Sequence, residues 1–524
     1  MRIPRRRRRT QLMDEMYLGD WLGRRAQLSP HKVALFDAQH EMRPITYGEW
    51  NVAVNRTAHL LRSLGVERGD RVATLAQNCV DLLDLWFACA KIGAILQPLN
   101  WRLTAVELSQ LIADGEPKVL AYGPEYAALT LTLRDQAPTV THWLAIDGAS
   151  PAVPADPVMT QRDTLPAGFA SVTLRWEDPW VICYTGGSTG LPKGAILTYR
   201  SIAANAVNTV MSWGLRPDDV AILNAPLFHT GGMNVFTAPL VQIGGTSIVC
   251  RSFNVDQVFD LIDHGPATLF FGVPTMFIAM QQHPRWPEVD FSRMRIVISG
   301  GAPCPEPVFH AFWERGIDFK TGYGLTEAGP NTFWLPPELV RVKPGAVGYP
   351  LMFVDLRVVA ADGHLCGPDE IGELQIRGPH VCAGYWRRPA ETAATFVDGW
   401  LRTGDLACFD ADGCYRIVGR LKDVIISGGE NIYPAEVESV LAGYPAVAEV
   451  ALVGMPDPHW GEVGWAAVVV RPGSELSEQD LLAFASTRLA RYKLPKRIIM
   501  LPELPKTGAG KIDKQALKRM FQQE

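Results

Sequence analysis

Between residue 46 and about residue 340, short apolar runs alternate with amphipathic ones, and this alternation limits the possible folds more than any other feature. Thr46 opens TYGEWNVAVNRTAHLLRSLG, which reads as an N-capped amphipathic helix ending at Gly65. RVATLAQN reads as a strand and residues 81–92 as the next helix. The strand-like runs VLAYG, HWLAID, WVICYT, DVAILNAP, TSIVC, ATLFFG and RIVISGG follow, with helix-like stretches between them. Such alternation predicts α/β layers with largely parallel sheets. Residues 148–170, rich in Pro, Ala and Asp, read as an irregular connection.

After about residue 340 the texture changes. VDLRVVAADGHL, GELQIRG and GCYRIVGR read as shorter antiparallel strands with DG turns. A last block has helix 435–442, strands EVALVGMP and WAAVVVRPG, helix 478–488 and strand KRIIML, which makes a compact α+β unit. The predicted fold class is α/β. A large N-terminal domain of layered α/β subdomains with a β-rich subdomain spans 21–420, and a small α+β C-terminal domain spans 421–524. Residues 1–20 read as a disordered basic leader.

With 524 residues, the chain has room for two or more domains. Its 47% hydrophobic and 20% charged content excludes a disordered, collagen-like or disulfide-scaffold chain. Nine cysteines without a CxxC pair argue against a zinc or disulfide framework and for a reducing cytoplasm. The leader MRIPRRRRRT carries Arg2 and Arg5 to Arg9; the net charge is −5, and about −11 without those six. That balance excludes nucleic acid as a partner of the body. A run of like charge is usually a solvated tail, and Met13 or Met16 is an alternative start. Asp14, Glu15 and Asp20 follow where an export signal would be apolar. The best apolar run, 268–280, has about 13 residues against the roughly 20 a spanning helix needs. The expectation is a cytoplasmic protein without a transmembrane segment, with peripheral membrane contact and a homodimer left open.

The most informative string is VICYTGGSTGLPKG, residues 181–194. An apolar strand runs into Thr185, Gly186, Gly187, Ser188, Thr189 and Gly190, then Lys193. Glycines let backbone N–H groups approach an anion, hydroxyls donate to it and a lysine neutralises it. A Walker A loop does not fit the spacing. The rival is the GxSxG nucleophile elbow of a serine hydrolase, with Ser188 as nucleophile. An elbow must lead straight into a helix, whereas Pro192 follows Gly190 within two residues. A plain glycine turn is the third reading.

The string resembles the signature loop YTSGTTGxPKG of the adenylate-forming (AMP-binding) superfamily, with Gly187 where Ser is common and Ser188 where Thr is common. Further segments resemble that family's motifs in the expected order: PLFHTGG at 226–232, TGYGLTE at 321–327, LRTGDL at 401–406, GRLKDVIISGGEN at 419–431 and PKTGAGKI at 505–512. The resemblance covers about residues 25–520, with acyl- and aryl-CoA synthetases as the nearest class.

The resemblance implies two half-reactions: a carboxylate attacks the α-phosphorus of ATP, then a thiol displaces AMP. Thr185, Ser188, Thr189, Gly190 and Lys193 would hold phosphates, Thr326 the α-phosphate and Glu327 a Mg²⁺ ion. Gly301, Ala302 and Tyr323 would line the adenine, and Gly322 would let backbone approach it. Asp405 would accept from the ribose diol, since an ionised carboxylate is acceptor-only. Arg420 would lie near the ribose or phosphate. Lys511 would bridge carboxylate and α-phosphate, so Lys511, Thr326 and Glu327 form the implied catalytic set. The mobile C-terminal domain would turn about Lys422, bringing Gly428 and Gly429 over the coenzyme A tunnel.

Residues 224–250 contain no Asp, Glu, Lys or Arg, and FFGVPTMF at 270–277 is also apolar. His229, Met233 and Phe236 are the expected acyl-pocket residues, with the core reading equally open for each. No Asp stands in 228–231 to pair a substrate ammonium, which disfavours amino-acid activation. With no carrier domain after 524, coenzyme A is the expected acceptor. A medium- or long-chain fatty acid comes first as the small-molecule carboxylic acid, and a benzoate- or cinnamate-like acid second.

Overall fold

Thr46 and Glu49 close a reciprocal capping box, and the helix Tyr47–Ser63 that follows buries Tyr47, Trp50, Val54 and Leu61. This computed structural model describes residues 19–169, 172–186, 192–507 and 511–523. The basic leader, apart from Gly19 and Asp20, lies outside the described residues.

Two sheets carry the N-terminal part. In the first, the strand order is His142–Ala145, Val119–Tyr122, Arg71–Leu75, Ile95–Pro98, Pro179–Thr185 and Lys193–Thr198. In the second it is Lys320–Thr321, Ile296–Ser299, Leu269–Gly272, Val220–Leu223, Thr246–Val249, Val33–Asp37 and Arg43–Thr46. Neighbours are parallel except at the ends, where Lys193–Thr198 and Arg43–Thr46 run antiparallel. The parallel strands are buried on both faces, which is why they read as continuous apolar runs. The two antiparallel edge strands escaped the sequence reading. KGAILT holds too few apolar residues to stand out beside a glycine loop, and RPIT is only half-buried.

The sheets pack through an aromatic core in which Trp180 stacks on Tyr199 and leans on Trp86 and Phe87. Arg251, just past Thr246–Val249, reaches across to Glu125 at 2.8 Å and Asp147 at 2.6 Å beside the first sheet.

The β-rich part is antiparallel as expected, with Asp355–Val359, Gly372–Arg377, Trp400–Phe409 and Tyr415–Arg420 paired in that order. The C-terminal part packs the helices Pro434–Ala442 and Glu478–Ser486 on a sheet built around the hairpin Val447–Asp457/Gly461–Val470. A further hairpin, Ile425–Ser427/Glu430–Ile432, and the helix Lys514–Phe521 complete it. Among the described residues, no helix is long and apolar enough to cross a membrane.

Candidate active site

The strands on either side of the glycine-rich string pair antiparallel. Thr185 pairs with Lys193 across antiparallel strands, and its hydroxyl donates to the Lys193 carbonyl at 3.3 Å. A nucleophile elbow needs a strand that runs into a helix. Here the strand turns back on itself, so the hydrolase reading of Ser188 has no structural basis. Ser188, Thr189 and Gly190 themselves lie outside the described residues.

The free edge of Lys193–Thr198 is taken by a segment the sequence reading did not single out. Ala383 N–H donates to the Ile196 carbonyl at 3.0 Å, Ile196 N–H to Gly384 at 2.9 Å and Trp386 N–H to Gly194 at 2.7 Å. Trp386 also donates its indole N–H to the Asp114 carbonyl at 3.1 Å, while Tyr184 donates its hydroxyl to the Asp114 carboxylate at 2.8 Å. This anchoring sets the Tyr385 hydroxyl 2.9 Å from Glu327 Oε1. Lys193 Nζ lies 5.1 Å from the centre of the Tyr385 ring. The GYW triplet at 384–386 was the available signal for Tyr385. Glu327 sits in the 3₁₀ turn Thr326–Ala328, whose backbone is held by Cys382 N–H on the Glu327 carbonyl at 2.8 Å. The Thr326 side chain bonds to the buried Cys183 thiol.

Two further strand ends meet beside Asp405. Ile296–Ser299 runs out into Gly300, Gly301 and Ala302, and Gly301 takes φ +80°. Lys320–Thr321 leads to Gly322, whose N–H donates to the Ser299 carbonyl at 2.7 Å. The next turn is so tight that a Cβ on Gly324 would lie 2.1 Å from the Pro330 carbonyl oxygen. This turn presents Tyr323, whose hydroxyl donates to Asp405 Oδ2 at 2.6 Å.

Asp405 is buried, and Arg420 opposite it on the neighbouring strand bonds through Nε to Asp405 Oδ1 at 2.8 Å. Tyr323 thus takes one carboxylate oxygen and Arg420 the other, and each oxygen keeps a lone-pair direction suited to a diol. Burial pushes the Asp405 carboxyl above its usual range, and Arg420, Tyr323 and Lys511 act against that shift.

Lys511 is tied to Thr507, whose N–H donates to the Lys511 carbonyl at 2.7 Å and whose Oγ1 accepts from Lys511 N–H at 3.3 Å. Lys511 is exposed at the surface of the C-terminal part. Desolvation and then Arg420 lower its pKa, while Asp405 and Glu327 raise it. His229 feels the same charge: burial first, then Lys511 and Arg102, push its imidazole down to about 4 and leave it neutral. Lys511 therefore interacts electrostatically with Glu327, Asp405, Arg420 and His229.

Met233 and Phe236 fall elsewhere. Met233 is buried with Leu82, Trp86 and Leu227 in the core between the sheets. Phe236 packs edge-on against Trp213 at 5.8 Å. Gly428 and Gly429 form a two-residue hairpin turn with φ +58° and +88°, and Gly428 N–H donates to the Trp460 carbonyl at 2.8 Å. Lys422 lies in the 3₁₀ turn Leu421–Asp423, just after the strand that carries Arg420.

The AMP-binding enzyme family profile matches residues 22–386, and the AMP-binding enzyme C-terminal domain profile matches 436–511. The chain belongs to the AMP-binding enzyme family. It is 42% identical over 504 residues to a feruloyl-CoA synthase of Amycolatopsis, covering 96% of this chain and 99% of that protein. It is 37% identical to a long-chain-fatty-acid–CoA ligase of Mycobacterium tuberculosis, covering 96% and 98%. Among solved structures, ATP-bound MatB from Rhodopseudomonas palustris superposes with a TM-score of 0.88 at 32% identity, over 96% of this chain and 99% of that one. The AMP-binding enzyme described here is thus a ligase.

Proposed function

We propose that this enzyme joins a hydrophobic carboxylic acid, an aryl or arylalkenoic acid first, to coenzyme A through an acyl-adenylate. The observation that carries this reading is the ammonium of Lys511 placed among Glu327, Asp405 and Arg420. In the first step a carboxylate oxygen bonds to the α-phosphorus of ATP and pyrophosphate leaves. Both reactants are anions, so Lys511 acts by holding them together and screening their repulsion. Lys193 and the hairpin tip bind the phosphates, and Thr326 donates to the α-phosphate. Asp405 accepts from the ribose hydroxyls, Tyr323 packs on the adenine, and Gly301, Ala302 and Gly322 leave room for it. Tyr385 occupies one oxygen of Glu327, and the other suits Mg²⁺, a hard cation that takes carboxylate and phosphate oxygens. When bound, Mg²⁺ supplies neutralisation of phosphate charge. In the second step the sulfur of coenzyme A bonds to the acyl carbon and AMP leaves. Gly428 and Gly429 close over the thiol's path after rotation about Lys422.

Two features support an aryl acid ahead of the fatty acid placed first on sequence alone. The feruloyl-CoA synthase is the more similar of the two relatives, at 42% against 37%. Gly231 and Gly300 both lie against the ring of Phe271, where added Cβ atoms would stand 3.1 and 3.0 Å from it. Glycine backbone against a ring makes a flat wall, which suits a flat acyl group. The fatty-acid ligase keeps the aliphatic reading as the second one.

AMP release measured against ferulate, cinnamate, benzoate, indoleacetate, octanoate and palmitate, with and without coenzyme A, tests this. The expected result is coenzyme A-dependent AMP release with the highest kcat/KM on an aryl acid. Preference for palmitate would move the acid class, and turnover indifferent to coenzyme A would remove the ligase reading.

A further inference from the structure

The segment ADGHLCGPDE, residues 361–370, has no part in the site described above, yet it gathers three different metal-ligating groups on one short loop. His364, Cys366 and Glu370 each offer one ligand atom, and these atoms all lie within 4.8 Å of one another. His364 Nε2 is 2.6 Å from Glu370 Oε1. The other ring nitrogen, Nδ1, is 2.6 Å from Asp362 Oδ1.

We propose that this loop is a zinc-binding site in which His364 Nε2, Cys366 Sγ and Glu370 Oε1 are the ligands and Asp362 is the positioning residue for the imidazole. The donor chemistry selects the ion. A set of one nitrogen, one sulfur and one oxygen suits Zn²⁺, whereas Mg²⁺ and Ca²⁺ take oxygen alone. The orientation is also that of a metal-bound histidine. Such a histidine almost always gives its second N–H to a carboxylate or carbonyl, which fixes the tautomer.

The backbone holds the ligands close before any ion arrives. Ala360 N–H donates to the His364 carbonyl at 3.0 Å and His364 N–H to Asp362 Oδ1 at 3.1 Å. Cys366 N–H donates to the Val358 carbonyl at 3.0 Å, and Gly367 N–H to Glu370 Oε2 at 3.0 Å. A tetrahedral set with bonds of 2.0–2.3 Å separates its donors by about 3.5 Å. The present spacings, from 2.6 to 4.8 Å, bracket that value. Side-chain rotation of His364 and Glu370, both solvent-accessible, closes the difference while the buried Cys366 stays in place. Because His364 is half-exposed, the fourth position faces water. The loop joins the strands Asp355–Val359 and Gly372–Arg377, so a bound ion would clip one end of the β-rich sheet.

The test uses the tag-free full chain after dialysis against chelator. Zn²⁺ titration should give one equivalent bound per chain through this loop and raise the melting temperature. His364→Ala and Glu370→Gln should each weaken binding at least tenfold and abolish that rise. Asp362→Asn should weaken it about 10- to 100-fold. Co²⁺ in place of Zn²⁺ should show a thiolate-to-metal absorption band in the near ultraviolet, absent in Cys366→Ser. His364→Ala and Glu370→Gln change exposed groups, so they remain informative if the buried Cys366→Ser variant fails to fold. Acyl-adenylate formation should be unchanged in His364→Ala. Unaltered Zn²⁺ binding in His364→Ala and Glu370→Gln, or a Co²⁺ spectrum without the thiolate band, would overturn the proposal.

Discussion

Tyr385 donates its hydroxyl to Glu327 Oε1 at 2.9 Å, joining two residues 58 positions apart at the mouth of the glycine-rich hairpin. Glu327 alone on its 3₁₀ turn could swing; the tyrosine fixes one oxygen. Hydrogen bonds to charged groups contribute about 1.5–3 kcal/mol. Tyr385→Phe should therefore slow acyl-adenylate formation roughly 10- to 100-fold and raise the Mg²⁺ concentration needed for half-maximal rate. Pyrophosphate exchange measured across a Mg²⁺ titration checks both. An unchanged Mg²⁺ midpoint would show that Tyr385 does not orient Glu327.

Lys511 is a cation from the C-terminal part that acts electrostatically on the cluster of Glu327, Asp405 and Arg420. Lys511→Ala should lower acyl-adenylate formation by about 10²–10³, the scale of one lost charge-stabilising donor. Thioester formation from supplied acyl-AMP should be largely spared. Full pyrophosphate exchange in the variant would remove Lys511 from the first step.

Asp405 holds Tyr323 on one oxygen and Arg420 on the other. Asp405→Asn keeps the shape but loses the charge and one acceptor. The KM for ATP should rise about 10- to 100-fold, the range for hydrogen bonds to an ionised group. The wild-type enzyme should discriminate against 2′-deoxy-ATP, and the variant should not. Equal discrimination by both would place the ribose elsewhere.

Lys320 is buried, with Nζ donating to the Leu335 carbonyl at 2.6 Å and lying 3.4 Å from the Trp334 ring centre. Burial drops its pKa to about 7, only partly offset by Asp318 and Glu338. Unfolded lysine titrates near 10.4. Between those values the unfolded chain keeps a proton that the native chain has released, so stability rises with pH by about 1.4 kcal/mol per unit. Lys320→Met removes this dependence. Urea unfolding at pH 7.5, 8.5 and 9.5 should show the wild type gaining on the variant at each step. Parallel curves would mean that the native ammonium is not desolvated.

Gly428 takes φ +58° in its hairpin turn, and a Cβ there would stand 2.7 Å from Trp460 Cε3. Gly428→Ala is strained on both counts. The proposed role of this turn predicts slower thioester formation with acyl-AMP formation preserved. Equal loss in both steps would assign the glycine to general stability instead.

Much of this was legible without coordinates. The parallel strands announced themselves because burial on both faces makes them continuous apolar runs, as in Val119–Tyr122 and Ile296–Ser299. Asp405 and Lys511 stood out because short motifs surround them. Tyr385 did not, because its GYW triplet marks a turn without saying what its hydroxyl meets. Its role exists only once residues 383–386 add to the edge of Lys193–Thr198. Met233 and Phe236 show the reverse: an apolar segment beside a site cannot tell which side chains face the cleft, and these two pack into separate cores.

The sequence by itself determined the layered α/β plan, the order of the motifs and the identity of the charged residues, since strand burial, helix capping and loop chemistry are local properties. Tertiary structure decided what those residues touch. Chain folding over long separations set Tyr385 on Glu327, Arg420 and Tyr323 on Asp405, and the Lys511 ammonium among them. It also decided that the strands flanking the glycine-rich string pair antiparallel. Only packing of distant strands brings such charges close enough, and dry enough, to act on one another.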